Sequence, residues 1–108
     1  MFLFDENFQL IIIALRDFAR KGSRRIDEIK GRIIGREGKT RKILEDLTDT
    51  SISVYGDTVA VIGDYVSIKY SIEAINKLLE GRKQRTVYNF LENNIKKMKM
   101  EKLEEAFR

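Results

Sequence analysis

Two glycines three residues apart, with cations on both sides, are the part of this sequence best suited to chemistry. They lie in Ile33-Ile34-Gly35-Arg36-Glu37-Gly38-Lys39-Thr40-Arg41-Lys42-Ile43-Leu44. Gly35 and Gly38 can adopt backbone conformations closed to other residues, so the chain can turn tightly there. Without side chains they also let another backbone come close. Arg36, Lys39, Arg41 and Lys42 place positive charge where a helix begins, and a helix N-terminus adds free N–H groups and the positive end of its dipole. The combination suits a sugar-phosphate backbone lying against the turn. Glu37 falls inside the turn and is expected to point outward, since it would repel phosphate.

The same residues exclude other chemistries. The sequence has no His and no Cys, which removes the commonest general base, the commonest zinc ligand, disulfides and thiolate metal sites. Lys39-Thr40 after a glycine turn has the flavour of a phosphate-binding loop. That motif needs four residues between its glycines, and here there are two. Glu45 and Asp46 are adjacent and face different ways on a helix, so they form no obvious acid–base pair. Neither catalysis nor a cofactor is expected.

The elements that position the turn follow from apolar spacing. The run Leu10-Ile11-Ile12-Ile13-Ala14-Leu15 is short and β-branched, which predicts a buried strand at about 9–15. Ala19 to Gly22 reads as a basic loop, with Ser23 a plausible N-cap. Ile26, Ile29 and Ile33 at helical spacing predict a first helix at about 24–34. Gly31 lies inside it, either for close packing against a neighbour or to leave room for a base or sugar; the pattern leaves both open. A second helix runs from Lys39 to about Leu47, with Ile43, Leu44 and Leu47 as its apolar stripe. Ser51–Tyr55 and Thr58–Ile62 flank Gly56-Asp57 and read as an antiparallel hairpin. Asp64 is a good N-cap for a third helix over Tyr65–Glu80, whose face is Ile68, Ile72, Ile75 and Leu79. Gly81 is a plausible stop.

At 108 residues the chain is expected to be one domain over 8–81 with an appendage. Residues 1–7 read as a linker or the remnant of a preceding domain, and 82–108 as a helical extension capped by Thr86. Val87, Phe90, Leu91, Ile95 and Met98 form an apolar stripe in that extension, better suited to docking on the domain than to a free coiled coil. Its Lys96, Lys97, Lys99 and Lys102 are either a solvated face or extra contact with a polyanion. No apolar run approaches the roughly 20 residues of a membrane span. Charge is uneven: Arg20 to Lys42 carries ten basic residues and three acids, an excess of seven, and the rest sums to −3. A basic region on a nearly neutral remainder is the footprint of a polyanion binder.

The glycine turn and the order strand, helix, turn, helix, strand, strand, helix resemble the type I KH family of RNA-binding domains. That resemblance implies an α+β fold, a three-stranded antiparallel sheet against three helices, with an extra C-terminal helix. The type II arrangement fits poorly with the Tyr65–Glu80 helix. Lys30 to Lys42, Ile52-Ser53-Val54-Tyr55-Gly56, Val61-Ile62-Gly63-Asp64, Leu78-Leu79-Glu80-Gly81 and Thr86-Val87-Tyr88-Asn89-Phe90-Leu91-Glu92 are similar to the second KH domain of archaeal proteins. These are related to the eukaryotic partner-of-Nob and Krr proteins, which act in small-ribosomal-subunit maturation.

The resemblance implies an RNA site made of Gly31, Arg32, Ile34, Gly35, Arg36, Glu37, Gly38, Lys39, Arg41, Lys42, Ile52 and Ser53. In it the GXXG loop clamps about four backbone nucleotides. Arg41 departs from the general KH pattern, which has an apolar residue there. Its guanidinium either meets a base or phosphate or points to solvent. The implied target is single-stranded RNA near the 3′ end of small-subunit ribosomal RNA. The implied partners are the endonuclease that processes that end and a translation-initiation factor, in the cytoplasm and away from any membrane. A protein–protein adaptor and a general single-stranded nucleic-acid binder, DNA included, are the alternatives.

Overall fold

A computed structural model describes residues 8–18 and 24–107. The 1–7 linker, the Ala19–Gly22 loop and the Ser23 cap lie outside the described residues. Strand β1 (Phe8–Ala14) leads into a short 3-10 turn, Leu15–Asp17. Helix α1 (Arg24–Ile34) follows, then a second 3-10 turn, Arg36–Gly38, and helix α2 (Lys39–Thr48). Strands β2 (Ser51–Tyr55) and β3 (Thr58–Asp64) form the hairpin. Helices α3 (Tyr65–Leu79), α4 (Gln84–Asn93) and α5 (Ile95–Ala106) complete the chain.

The sheet has the order β1-β3-β2 and both pairings are antiparallel. Helices cover one face of it. Ile29 and Ile33 from α1, Leu44 from α2, Ile52, Val59 and Val61 from the sheet, and Ile75 and Leu78 from α3 meet in one core. This is the type I KH arrangement. Asp64 caps α3 as expected: its Oδ1 accepts from the Ser67 N–H at 2.9 Å and its Oδ2 from the Ser67 hydroxyl at 2.8 Å. Removing such a cap costs about 1 kcal/mol.

Three expectations about these elements need correction. The first strand is not buried: Leu10 is 56% exposed and Ile12 62%. Side chains alternate across a strand, and β1 is an edge strand whose Phe8, Leu10 and Ile12 point to the face that no helix covers. Leu15, just past it, is fully buried.

The extension is two helices rather than one. The chain breaks at Asn94, whose side-chain amide donates to the Phe90 carbonyl at 2.7 Å. It also starts before the Thr86 cap, at Gln84, where the Gln84 amide donates to the Arg32 carbonyl at 3.0 Å and pins the first turn to α1. The docking expectation holds: Val87, Leu91 and Met98 are buried in the same core as the sheet. Part of the lysine run is paired at the surface, Lys102 lying 3.4 Å from Asp49 and 3.6 Å from Asp64. Lys96, Lys97 and Lys99 are exposed.

Candidate nucleic-acid interface

The turn between α1 and α2 is built almost entirely in left-handed backbone. Gly35 has φ 76° and ψ 175°, Glu37 φ 55° and ψ 28°, and Gly38 φ 76° and ψ 11°. The Gly35 conformation belongs to a region essentially reserved for glycine, whereas the other two are left-handed helical. The turn is anchored at its base, with the Gly35 N–H donating to the Gly31 carbonyl at 2.8 Å. Thr40, buried behind it, accepts from the Tyr88 hydroxyl at 3.0 Å, so α4 holds the turn from the rear.

Arg36, Lys39 and Lys42 are exposed. Among the described residues none of the three pairs with a carboxylate. Their charge is therefore available to a phosphate. Glu37 is exposed at the tip, as expected.

The opposite wall is the free edge of β2. Ile52 buries its side chain in the core, so only its main chain reaches the groove. Both main-chain groups are already engaged from α2: the Arg41 Nη1 donates to the Ile52 carbonyl at 3.1 Å, and the Glu45 Oε2 accepts from the Ile52 N–H at 2.7 Å. Arg41 is half-buried and does not point to solvent. A Cβ on Gly38 would lie 4.0 Å from its Nη2, so the guanidinium spans from the glycine turn to the strand. Gly31 faces open space, with nothing within 4 Å of where a Cβ would be, which excludes the close-packing reading. Ile34 is half-buried beside the turn.

Two expected site residues face elsewhere. Arg32 donates to the Arg82 carbonyl, and its own carbonyl accepts from Gln84, so it ties α1 to the start of α4. Ser53 is exposed, and by strand alternation its side chain leaves the sheet on the side opposite Ile52. Glu45 and Tyr88 were not among the expected site residues. Glu45 could have been found from its spacing, since positions 41 and 45 stack on one helix face. Tyr88 carries no such signal.

A glycine turn between two helices, unpaired cations at its tip and a strand edge across a groove make up the candidate site. Among the described residues no cluster of three or more His, Cys, Asp or Glu is placed to hold a metal. The chain belongs to the eukaryotic-type KH domains (KH-domain type I), whose model for the second such domain of PNO1 proteins matches residues 9–96. Members of that class are RNA-binding modules and not enzymes.

A KH domain-containing protein of Methanocaldococcus jannaschii is 37% identical over 94% of this chain and 44% of its own length. A protein of unknown function from Aeropyrum pernix, solved by crystallography, superposes with a TM-score of 0.85 at 35% identity, over 95% of this chain and 55% of that one. The crystal structure of an a/eIF2alpha–aDim2p–rRNA complex from Pyrococcus horikoshii gives 0.79 at 40% identity, over 87% of this chain and 50% of the matched chain. The chain thus spans about half the length of these relatives. Among the described residues no helix is long and apolar enough to cross a membrane.

Proposed function

We propose that this chain binds single-stranded RNA in the groove between the Gly35–Gly38 turn and the β2 edge, and acts in the processing of small-subunit ribosomal RNA near its 3′ end. The observation that carries the reading is the turn itself. Its left-handed backbone presents Arg36 and Lys39, unpaired, beside a groove kept open at Gly31. Phosphate contacts at the turn would supply affinity and salt dependence, and the strand side would supply base contacts. The processing role rests on family membership and on the ribosomal RNA in the complex of the Pyrococcus horikoshii relative. The same complex supports a translation-initiation factor as partner. The endonuclease that trims the rRNA end is the second partner on this reading, and the cytoplasm is the place of action. The KH domain expected over 8–81 and the extension expected over 82–108 work here as one unit, because α4 braces the turn through Tyr88.

The test is a titration with a short strand matching the rRNA 3′ end, a scrambled strand and the matched sequence as DNA. The wild type is compared with an Arg36→Asp/Glu37→Asp variant. Both positions are exposed, and Asp tolerates the left-handed conformation of residue 37, so the variant should fold normally. Loss of binding in the variant is the expected result. Each phosphate contact should contribute about −0.7 to the slope of log K against log salt, so Arg36, Lys39 and Lys42 together give roughly −2. Equal binding by both proteins would remove the turn as the site.

A further inference from the structure

The two side chains that hold the Ile52 main chain form a recognition surface of their own. Arg41 and Glu45 lie one turn apart on α2 and clasp the Ile52 carbonyl and N–H at 3.1 and 2.7 Å. Each keeps unused hydrogen-bonding capacity, and both side chains are half-buried beside the β2 edge. A carboxylate offers about four lone-pair sites, and Ile52 takes one of them. A guanidinium carries five N–H donors in a planar fork, and the carbonyl takes one. The intramolecular bonds fix both groups in place, so a base entering the groove meets a donor and a double acceptor already oriented.

From this we infer that Arg41 and Glu45 read a guanine base, a specificity that rests on the RNA-binding reading above. The argument is one of complementary edges. Guanine presents one acceptor, O6, beside two adjacent donors, N1–H and N2–H. Adenine, cytosine and uracil each present a single donor on the Watson–Crick edge. The two carboxylate oxygens of Glu45 match the adjacent guanine donors side by side, and an Arg41 N–H reaches O6. The other bases satisfy only one carboxylate oxygen. Guanine alone therefore uses the full set. An apolar residue at position 41 would leave O6 without a partner.

The experiment uses the whole chain and uridine octamers that carry one guanosine, moved through every position. A parallel series carries inosine, which lacks the N2 amino group, and another adenosine. Loss of one hydrogen bond to a charged group changes affinity on the order of 10-fold or more. The expected result is one position at which the wild type prefers guanosine over inosine and adenosine by that factor. In Glu45→Gln the preference for guanosine over inosine should collapse towards unity. Gln still offers an oxygen to the Ile52 N–H, and a thermal melt checks that the variant folds. The inosine series on the wild type stands whether or not it does.

A wild type that binds the octamers with no guanosine preference at any position overturns the assignment and leaves the RNA-binding reading intact. So does a preference that survives Glu45→Gln. Binding that is absent, or unaffected by Arg36→Asp/Glu37→Asp, overturns the RNA reading at this groove and the assignment with it.

Discussion

Replacing Gly35 by Ala should destabilise this domain strongly, while the same change at Gly38 should cost little. Both residues have φ of 76°, but ψ differs, 175° against 11°. Ala at the Gly38 geometry enters the left-handed helical well, at a cost of about 1 kcal/mol. Nothing crowds it there, since the nearest atom to the new Cβ is the Arg41 Nη2 at 4.0 Å, an ordinary van der Waals contact. Ala at Gly35 enters a region that only glycine occupies freely, at about 1–3 kcal/mol. Its Cβ would also sit 2.6 Å from the Thr40 Cβ and 2.7 Å from the Thr40 backbone nitrogen. Those atoms belong to the first turn of α2, and Thr40 is tethered from behind by Tyr88, so relief requires moving a helix end. Overpacking of that kind adds about 1–3 kcal/mol.

The sum for Gly35→Ala, about 2–6 kcal/mol, is a large part of the 5–15 kcal/mol typical of a whole domain. Urea denaturation followed by far-ultraviolet circular dichroism reads it directly, and the melting temperature should drop by about 8 °C or more. Adding Thr40→Ala to Gly35→Ala should recover only part of the loss, because the backbone clash remains. If Gly35→Ala and Gly38→Ala are equally stable, the close approach between the turn and α2 is wrong.

Two further outcomes are expected. Ile12→Gln should change stability by less than about 1 kcal/mol, because the side chain is already 62% exposed on the open face of the sheet, whereas Leu44→Ala in the core should cost about 2–5 kcal/mol; paired urea titrations compare them. The Tyr70 phenol is pushed up to about 12 by burial and by its 2.7 Å bond to the Glu101 carboxylate. The neutral phenol is the folded form, so its contribution is complete below the unfolded value of about 10 and is lost as pH rises from there towards 12. Chemical denaturation across that window should show a decline in the wild type that is smaller in Tyr70→Phe.

Much of the scaffold is readable from spacing because each element buries a single face. Ile26, Ile29 and Ile33 can share a surface only in a helix, and the Gly56-Asp57 turn between two β-branched runs leaves little choice but a hairpin. The exposure of β1 is not readable in that way. Three isoleucines in a row look the same whether a sheet is covered on one face or on both. The break at Asn94 is hidden because the apolar stripe of Val87 and Leu91 resumes at Met98 in α5. The site divides along the same line. The glycine turn is local, so its conformation follows from residue types. That Glu45 shares a helix face with Arg41 follows from spacing, but its bond to Ile52 is not local, because it depends on α2 laying that carboxylate against a strand edge seven residues further on. The resemblance implies a groove role for Arg32, whose guanidinium donates instead to the Arg82 carbonyl just ahead of α4.

The clasp on Ile52 also bears on how any base can be read in this groove. A strand edge with free N–H and C=O groups can bond a base directly. Here both groups are taken by charged partners, and a hydrogen bond to a charged group is worth about 1.5–3 kcal/mol. A base that claimed the Ile52 main chain would have to break both, a handicap of about 3–6 kcal/mol before any gain. It would also leave Arg41 and Glu45 to find new partners in a half-buried groove. A base that bonds the outer side of the same two groups breaks nothing. On the proposed reading, Arg41 and Glu45 therefore move recognition at Ile52 from the main chain, which has the same donor and acceptor at every strand position, to side chains whose chemistry is set by the sequence.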